Sequence, residues 1–359
     1  MNSGTATSVT PTSAVESTSP SVLVNCKWRC HEHITGVQRY ASEFVKALVG
    51  SGMAFDEISP EIESRWRSIL WEQRTLPRLA RKYDVLLCPA NMAPLKLPER
   101  VRLILTIHCL RYYYHPESYS RSFTLWYRFM IPRIVTRAAT VITVSHTMAE
   151  EIQGTYPQSR GKVQVVYPGV PDAFCVDGFK GDEAIGPGGY WVYVGNTSPA
   201  KNLKVVLQAM RSSHLPHRLV LLGISSQQLR TMDESFSEDR VIPLGFVNDI
   251  NRVAAIFRGA TGLLSPSLYE SFDLPTVEAM ASGCPVIASD TAVHREIGED
   301  APIYVDAGDA SAWAGVMDEL YSDEDVIFER RRVGLARALN FRWEESAATV
   351  VNIINECSP

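Results

Sequence analysis

The sequence predicts an α/β protein built from two doubly wound, Rossmann-like domains. Three observations point there. Short β-branched runs alternate with helical patterns along almost the whole chain, as parallel sheets joined by crossover helices require. The length, 359 residues, exceeds what one hydrophobic core usually fills. A turn-rich stretch from Tyr167-Pro-Gly-Val-Pro-Asp to Gly186-Pro-Gly-Gly, where proline and glycine break any periodicity, separates two such alternations.

Taken in order, residues 1–20 are rich in Ser and Thr and read as a disordered tail, because they lack both the positive start and the apolar run of a signal peptide. The first domain, 21–172, has buried strands at Val22–Asn25, Val85–Cys88, Val101–Ile107 and Thr140–Val144. Helical stretches lie near Val37–Val49, Arg65–Lys82, Thr124–Arg137 and Thr147–Gln153. The second domain, 173–340, has strands at Trp191–Gly195, Leu219–Leu222, Val241–Leu244, Gly262–Ser265 and Pro285–Ser289, with helices between them. The closing segment, 341–359, holds a helix at Trp343–Ile354 that can cap either domain, including by a return onto the first. Two such domains in tandem imply a central cleft, with ligands beyond the carboxyl ends of the parallel strands.

Composition narrows the partners. With 45% hydrophobic and 21% charged residues and a net charge of -5, nothing makes a general electrostatic case for nucleic acid, so any anionic ligand must be met locally. Seven cysteines without framework spacing suggest reduced thiols and a cytoplasmic address. No uncharged apolar run reaches the roughly 18 residues that span a bilayer, so any membrane contact is expected to be peripheral, on the inner face. The oligomeric state is not legible.

The most informative segment is Ser265-Pro-Ser-Leu-Tyr-Glu-Ser-Phe-Asp-Leu-Pro-Thr-Val-Glu-Ala-Met-Ala-Ser-Gly-Cys-Pro-Val-Ile-Ala-Ser. A strand ends at Ser265, Glu270 sits in the loop, Pro275 suits a first helical position, Glu278 lies in a short helix, and Gly283 suits its stop. Amides around Phe272, Asp273 and Leu274 at a positive helix end make an anion site, while glutamates accept from sugar hydroxyls. That combination suits a sugar diphosphate. Earlier in the same domain, a strand reaches a turn at Gly195 and Asn196, and a helix follows with Ser198 as N-cap and Pro199 first, which puts Lys201 in the first helical turn. A cation there opposes the helix dipole and is easier to explain with an anion beside it.

In the first domain the strand Val101–Ile107 delivers His108 to its carboxyl end, where a histidine can orient a hydroxyl or share a proton. The loop opening the first long helix carries Gly36, which allows close backbone approach, and Arg39, which suits either a phosphate contact or a plain helix surface. Cys26, Cys30, His31 and His33 crowd that loop, but their spacing matches no paired-ligand pattern, so no metal is expected and the loop reads as acceptor-side. The stretch from Arg121 to Arg137 mixes four arginines with large apolar residues. It suits an anionic membrane surface or a lipid-linked acceptor, although a crossover helix with its apolar face in the core is the favoured reading.

These motifs resemble the large retaining family of two-Rossmann (GT-B) glycosyltransferases, family 4, whose hallmark is two glutamates separated by seven residues, as Glu270 and Glu278 are. The resemblance covers about residues 22–355 and is closest over 190–290. It implies that Glu270 contacts donor-sugar hydroxyls and Glu278 the nucleotide ribose, that the segment Ser271, Phe272, Asp273 and Leu274 meets the diphosphate or sugar, and that Lys201 neutralises the diphosphate. Gly195 and Asn196 would line the donor site, His108 would pack near the reacting carbon, and Gly36 and Arg39 would approach donor phosphates or acceptor. Three positions depart from the family pattern: Asp273 replaces a usual glycine, Asn196 a frequent arginine, and Cys109 an aspartate that often follows the histidine.

The function that follows is transfer of a hexose with retention of configuration to a saccharide or lipid-linked saccharide, with the leaving phosphate acting as base and no metal or cofactor required. The combination Thr-Gly-Val-Gln-Arg-Tyr, Thr-Ile-His and Tyr-Pro-Gly-Val looks most like bacterial mannosyltransferases of polysaccharide assembly, which makes GDP-mannose the expected donor. Rivals are a catalytically silent nucleotide-sugar-binding protein on the same fold, and a sugar-nucleotide epimerase or phosphorylase. A nicotinamide-dependent oxidoreductase is disfavoured because neither domain shows G-x-G-x-x-G after its first strand.

Overall fold

The computed structural model describes residues 7–10, 19–30, 36–61, 64–175, 181–182, 185, 189–213, 215–216, 218–232 and 240–357. The chain forms two compact units, one from Met1–Gly169 with Arg342–Pro359 and the other from Val170–Phe341. The divisions fall at 169/170 and 341/342.

The first unit is a seven-stranded sheet of β1 (Thr7–Thr10), β2 (Val22–Asn25), β3 (Asp56–Pro60), β4 (Val85–Cys88), β5 (Arg102–Thr106), β6 (Thr140–Thr143) and β7 (Val163–Val165). Its order is β1-β3-β2-β4-β5-β6-β7, parallel except for β1, which runs antiparallel to β3. The continuous apolar runs Val-Leu-Val and Val-Leu-Leu of β2 and β4 are fully buried, as central strands covered on both faces must be.

Two sequence expectations are corrected here. The segment Thr7–Thr10 is an edge strand rather than disordered tail, since its β-branched residues pair with the open edge of β3. Residues 1–6 and 11–18 of that tail lie outside the described residues, as do His31, His33 and 186–188 of the expected linker. The helix expected over Arg65–Lys82 is broken into Arg65–Arg74, a turn at Leu76–Leu79 and a 3-10 turn at Ala80–Lys82, because Pro77 has no N–H to continue the ladder.

Helix Gly36–Gly50 buries Tyr40, Ala41, Phe44, Val45 and Leu48 along one stripe and packs against the closing helix Trp343–Glu356 of the same unit. Trp343 meets Tyr40 edge-on, with ring centroids 5.4 Å apart. Gly169 approaches so closely that a Cβ there would come within 2.2 Å of the Trp343 backbone nitrogen, and Ser346 Oγ donates to the Tyr167 carbonyl at 2.5 Å. Helix Arg121–Arg137 buries Thr124, Met130, Ile131, Ile134 and Val135, the crossover arrangement, while Leu125 and Phe129 stay exposed at 69% and 48%. Its Arg137 donates to the carbonyls of Pro98 and Val101, Arg128 lies over the Tyr113 ring and Arg133 over Phe129.

The second unit is a six-stranded parallel sheet of β8 (Tyr190–Val194), β9 (Arg218–Leu222), β10 (Val241–Gly245), β11 (Gly262–Ser265), β12 (Val286–Ser289) and β13 (Ile303–Val305). The order is β10-β9-β8-β11-β12-β13, so the chain switches direction across the sheet at the β8/β11 pair. A reversal of this kind opens a crevice at the carboxyl ends of the two strands, where ligands of open α/β sheets bind. Trp191, Trp313, Leu219, Leu221 and Leu264 anchor the core beneath it.

Candidate functional site

The carboxyl ends of β8 and β11 carry the two most informative motifs. After β8 the chain turns at Gly195, where a Cβ would lie 2.8 Å from Tyr193 Oη. That hydroxyl is a strut beneath the turn, donating to the carbonyls of Asn196 at 3.2 Å and Lys201 at 3.1 Å. Asn196 accepts the Ser198 amide at 2.9 Å, so its side chain closes the turn locally.

Lys201 does not open a long helix. Pro199–Lys201 is a single 3-10 turn, Asn202 is left-handed with φ 49°, and the α-helix begins only at Leu203. The cause is Asn202 itself, whose amide group donates to the carbonyls of Pro266 at 3.1 Å and Ala307 at 2.7 Å and stitches three loops together. Lys201 is thereby aimed at Glu270, with which it forms an ion pair; the two side chains are 16% and 9% exposed.

After β11 the loop reaches Glu270 and enters helix Leu274–Ala281 through Asp273, also left-handed at φ 69°. Gly283, at φ 68°, ends that helix as expected. Phe272 is buried edge-on against Phe341. A glutamate that merely complemented a helix dipole would sit in solvent, yet Glu278 is only 3% exposed. Asp273 is turned inward. Its Oδ2 accepts from Ser265 Oγ at 2.7 Å and Thr276 Oγ1 at 2.5 Å, and faces His294 Nε2 at 3.2 Å. Burial alone would raise its pKa, but the His294 and Lys201 charges hold it well below the usual carboxylate range. Of the expected donor residues, Gly195, Asn196 and Lys201 follow β8, Glu270, Ser271, Phe272 and Asp273 follow the adjoining β11, and Leu274 and Glu278 lie in the helix that comes next. Tyr193, Asn202 and His294 are participants that sequence reading missed, because each acts through a partner distant in the chain.

In the first unit, His108 follows β5 and is buried. Its Nε2 lies 2.8 Å from the Pro89 carbonyl, which can only accept, so Nε2 carries the proton. Burial pushes its pKa down to about 4, so at neutral pH the ring is uncharged and Nδ1 holds a lone pair. The Asn91 side chain accepts the His108 amide at 2.7 Å, and Tyr40 packs edge-on to the ring at 4.5 Å. Because the folded pKa lies below the unfolded value of about 6.5, stability of this unit is complete above that pH and falls as acid drives the ring toward charge near pH 4. His108→Gln is expected to flatten this part of the acid limb in denaturant titrations between pH 4 and 6.5; an unchanged limb contradicts the assignment. Gly36 starts helix Gly36–Gly50 at the surface, and Arg39 is half-buried on its first turn. Cys26 is buried with its thiol pushed up to about 12, chiefly by burial, and Cys30 Sγ donates to the Pro60 carbonyl at 2.7 Å.

A sequence family described as Glycosyltransferase Family 4 matches residues 34–174, and one described as Glycosyl transferases group 1 matches 189–323, so the two take in most of the chain. The chain belongs to the family 4 glycosyltransferases. This glycosyltransferase is 28% identical over 229 residues to the O-antigen chain mannosyltransferase RfbU of Salmonella typhimurium, a match covering 62% of this chain and 62% of that protein. It is 26% identical to O-antigen chain mannosyltransferase B of Escherichia coli, over 89% of this chain and 95% of that one. Among solved structures, a sucrose-phosphate synthase from Thermosynechococcus elongatus shares its GT-B fold at a TM-score of 0.76, with 18% identity over 94% and 98% of the two chains.

Proposed function

We propose that this glycosyltransferase moves mannose from GDP-mannose, with retention of configuration, to a saccharide or lipid-linked saccharide acceptor in cell-surface polysaccharide assembly. The observation that carries the reading is the pairing of Lys201, which follows β8, with Glu270, which follows β11, just before helix Leu274–Ala281 and its buried Glu278. A diphosphate is met by the ammonium and the helix end, and hydroxyls by the carboxylates. The choice of mannose rests on the O-antigen mannosyltransferases among its relatives.

In this mechanism the bond from the anomeric carbon to the diphosphate oxygen breaks as the acceptor oxygen attacks the same face. The acceptor proton passes to the departing phosphate. Lys201 stabilises the negative charge that develops there. His108 of the first unit is neutral, and its Nδ1 is available to accept from a hydroxyl of the acceptor. Asn196 favours a second reading, a silent nucleotide-sugar-binding protein, since its side chain closes a turn where the family often places an arginine.

A thermal-shift panel of GDP, UDP, ADP and dTDP against wild type and Glu278→Ala tests the donor site. GDP is expected to give the largest stabilisation, and the variant to lose it. No shift from any nucleotide, even with its sugar attached, sinks the donor-site assignment. Binding without transfer to any acceptor supports the silent reading.

A further inference from the structure

We infer that Asp273 and His294 act together as a positioning device for the donor loop, holding Phe272–Leu274 in its left-handed turn and keeping the Asp273 charge on the protein side of the diphosphate site. This rests on the donor-site reading above.

Asp273 occupies φ 69°, ψ 67°, a conformation that a residue with a Cβ adopts reluctantly and glycine freely. Something must hold it there. Its carboxylate ties together three elements: Ser265 at the end of β11, Thr276 in the first turn of helix Leu274–Ala281, and His294 of helix Ala292–Gly298. His294 Nδ1 lies 2.8 Å from the Ser289 carbonyl, so that nitrogen carries a proton, and Nε2 faces a carboxylate, which calls for a second. Both ring nitrogens thus face acceptors, which favours the imidazolium form. The Ser289 hydroxyl in turn donates to the Ser267 carbonyl at 2.5 Å, which extends the network back into the donor loop.

Among the described residues, few charged groups act on this ring. Asp273 and Glu270 come from the loop and Lys201 from the 3-10 turn; β12 offers only the Ser289 carbonyl and hydroxyl, and Tyr304 of β13 donates to the His294 backbone carbonyl at 3.0 Å. The two cations and two carboxylates balance while His294 is protonated. Removing that proton leaves an uncompensated carboxylate behind an anion site, which opposes binding of a diphosphate. Burial works against the charged ring, but Asp273 opposite raises its pKa above the ordinary 6.5. The pair's contribution is thus complete below about pH 6.5 and fades as pH rises through the raised value.

The test is calorimetric titration, from pH 6 to 9, of whichever nucleoside diphosphate of the panel binds wild type best. Wild-type affinity is expected to weaken as pH rises. His294→Gln should weaken binding by about tenfold at pH 6.5 and flatten the pH profile, because one partner of a buried pair has been removed. The double variant Asp273→Gly/His294→Gln should recover to within about threefold of wild type, since glycine accepts the turn and neither charge of the pair is left without its partner. Equal affinity and the same pH profile in wild type and His294→Gln overturn the inference, as does a folded double variant that binds no better than His294→Gln. A double variant whose nucleotide-free melt shows it unfolded also overturns it, because glycine was expected to hold the turn unaided. Failure of wild type to bind any of the four nucleotides instead condemns the donor-site reading beneath it.

Discussion

Lys201→Ala is expected to lower kcat/KM for glycosyl transfer by roughly 10²–10³-fold, the scale of removing one preorganised charge stabiliser from a transition state. The side chain is only 16% exposed and paired with Glu270, so its charge acts in a partly desolvated setting rather than in bulk water. The effect should exceed that of a typical donor-site lysine, because Asn196 places no cation on the same turn. Removing Lys201 also leaves the Glu270 carboxylate unneutralised beside the diphosphate site, so two losses combine. They can be separated: Lys201→Ala/Glu270→Gln should regain nucleotide affinity in calorimetry yet remain as slow in turnover as the single variant. Retention of activity to within about threefold in Lys201→Ala removes Lys201 from the transition state altogether.

Trp343→Ala should destabilise the first unit by about 3–5 kcal/mol, the usual cost of truncating a buried tryptophan. The ring packs on Tyr40, and the backbone of Gly169 closes against the residue, so neighbours have little freedom to fill the hole. The second unit has its own core around Trp191 and Trp313 and should be indifferent. Hydrogen exchange read by mass spectrometry distinguishes the two. Peptides from β2 to β7 are expected to exchange faster in the variant, with those from β8 to β13 unchanged. Uniform acceleration across both sets contradicts the assignment of the closing helix to the first unit.

Central strands were legible to the residue where burial on both faces demands uninterrupted apolar runs, as in β2, β4 and β11. The strands that escaped reading, β1, β3, β7 and β13, are short or carry polar residues such as Asp56, Glu57 and Gln164. Such segments are strands because a neighbour offers them an edge, and periodicity within four residues does not record that. In the site, the spacing of Glu270 and Glu278 was visible, but the direction of Asp273 was not. It depends on His294, in another helix, and on a backbone angle that composition does not encode. Lys201 illustrates the same limit. Its role was inferred from a helix start that is in fact a 3-10 turn, set by contacts of Asn202 with Pro266 and Ala307.

The return of the last helix to the first unit has a consequence for synthesis. The second unit, Val170–Phe341, is contiguous and complete once Phe341 has left the ribosome, whereas the first unit lacks Trp343, Ala347, Val350 and Ile354 until helix Trp343–Glu356 has followed it. Chains usually fold from the amino end as they emerge. Here the order of completion is reversed: the nascent amino-terminal half waits, with the Tyr40 and Phe44 face of its first helix uncovered, for helix Trp343–Glu356 to be made. A nascent chain held at the point where Phe341 has just emerged would therefore carry a finished carboxyl-terminal unit and an unfinished amino-terminal one.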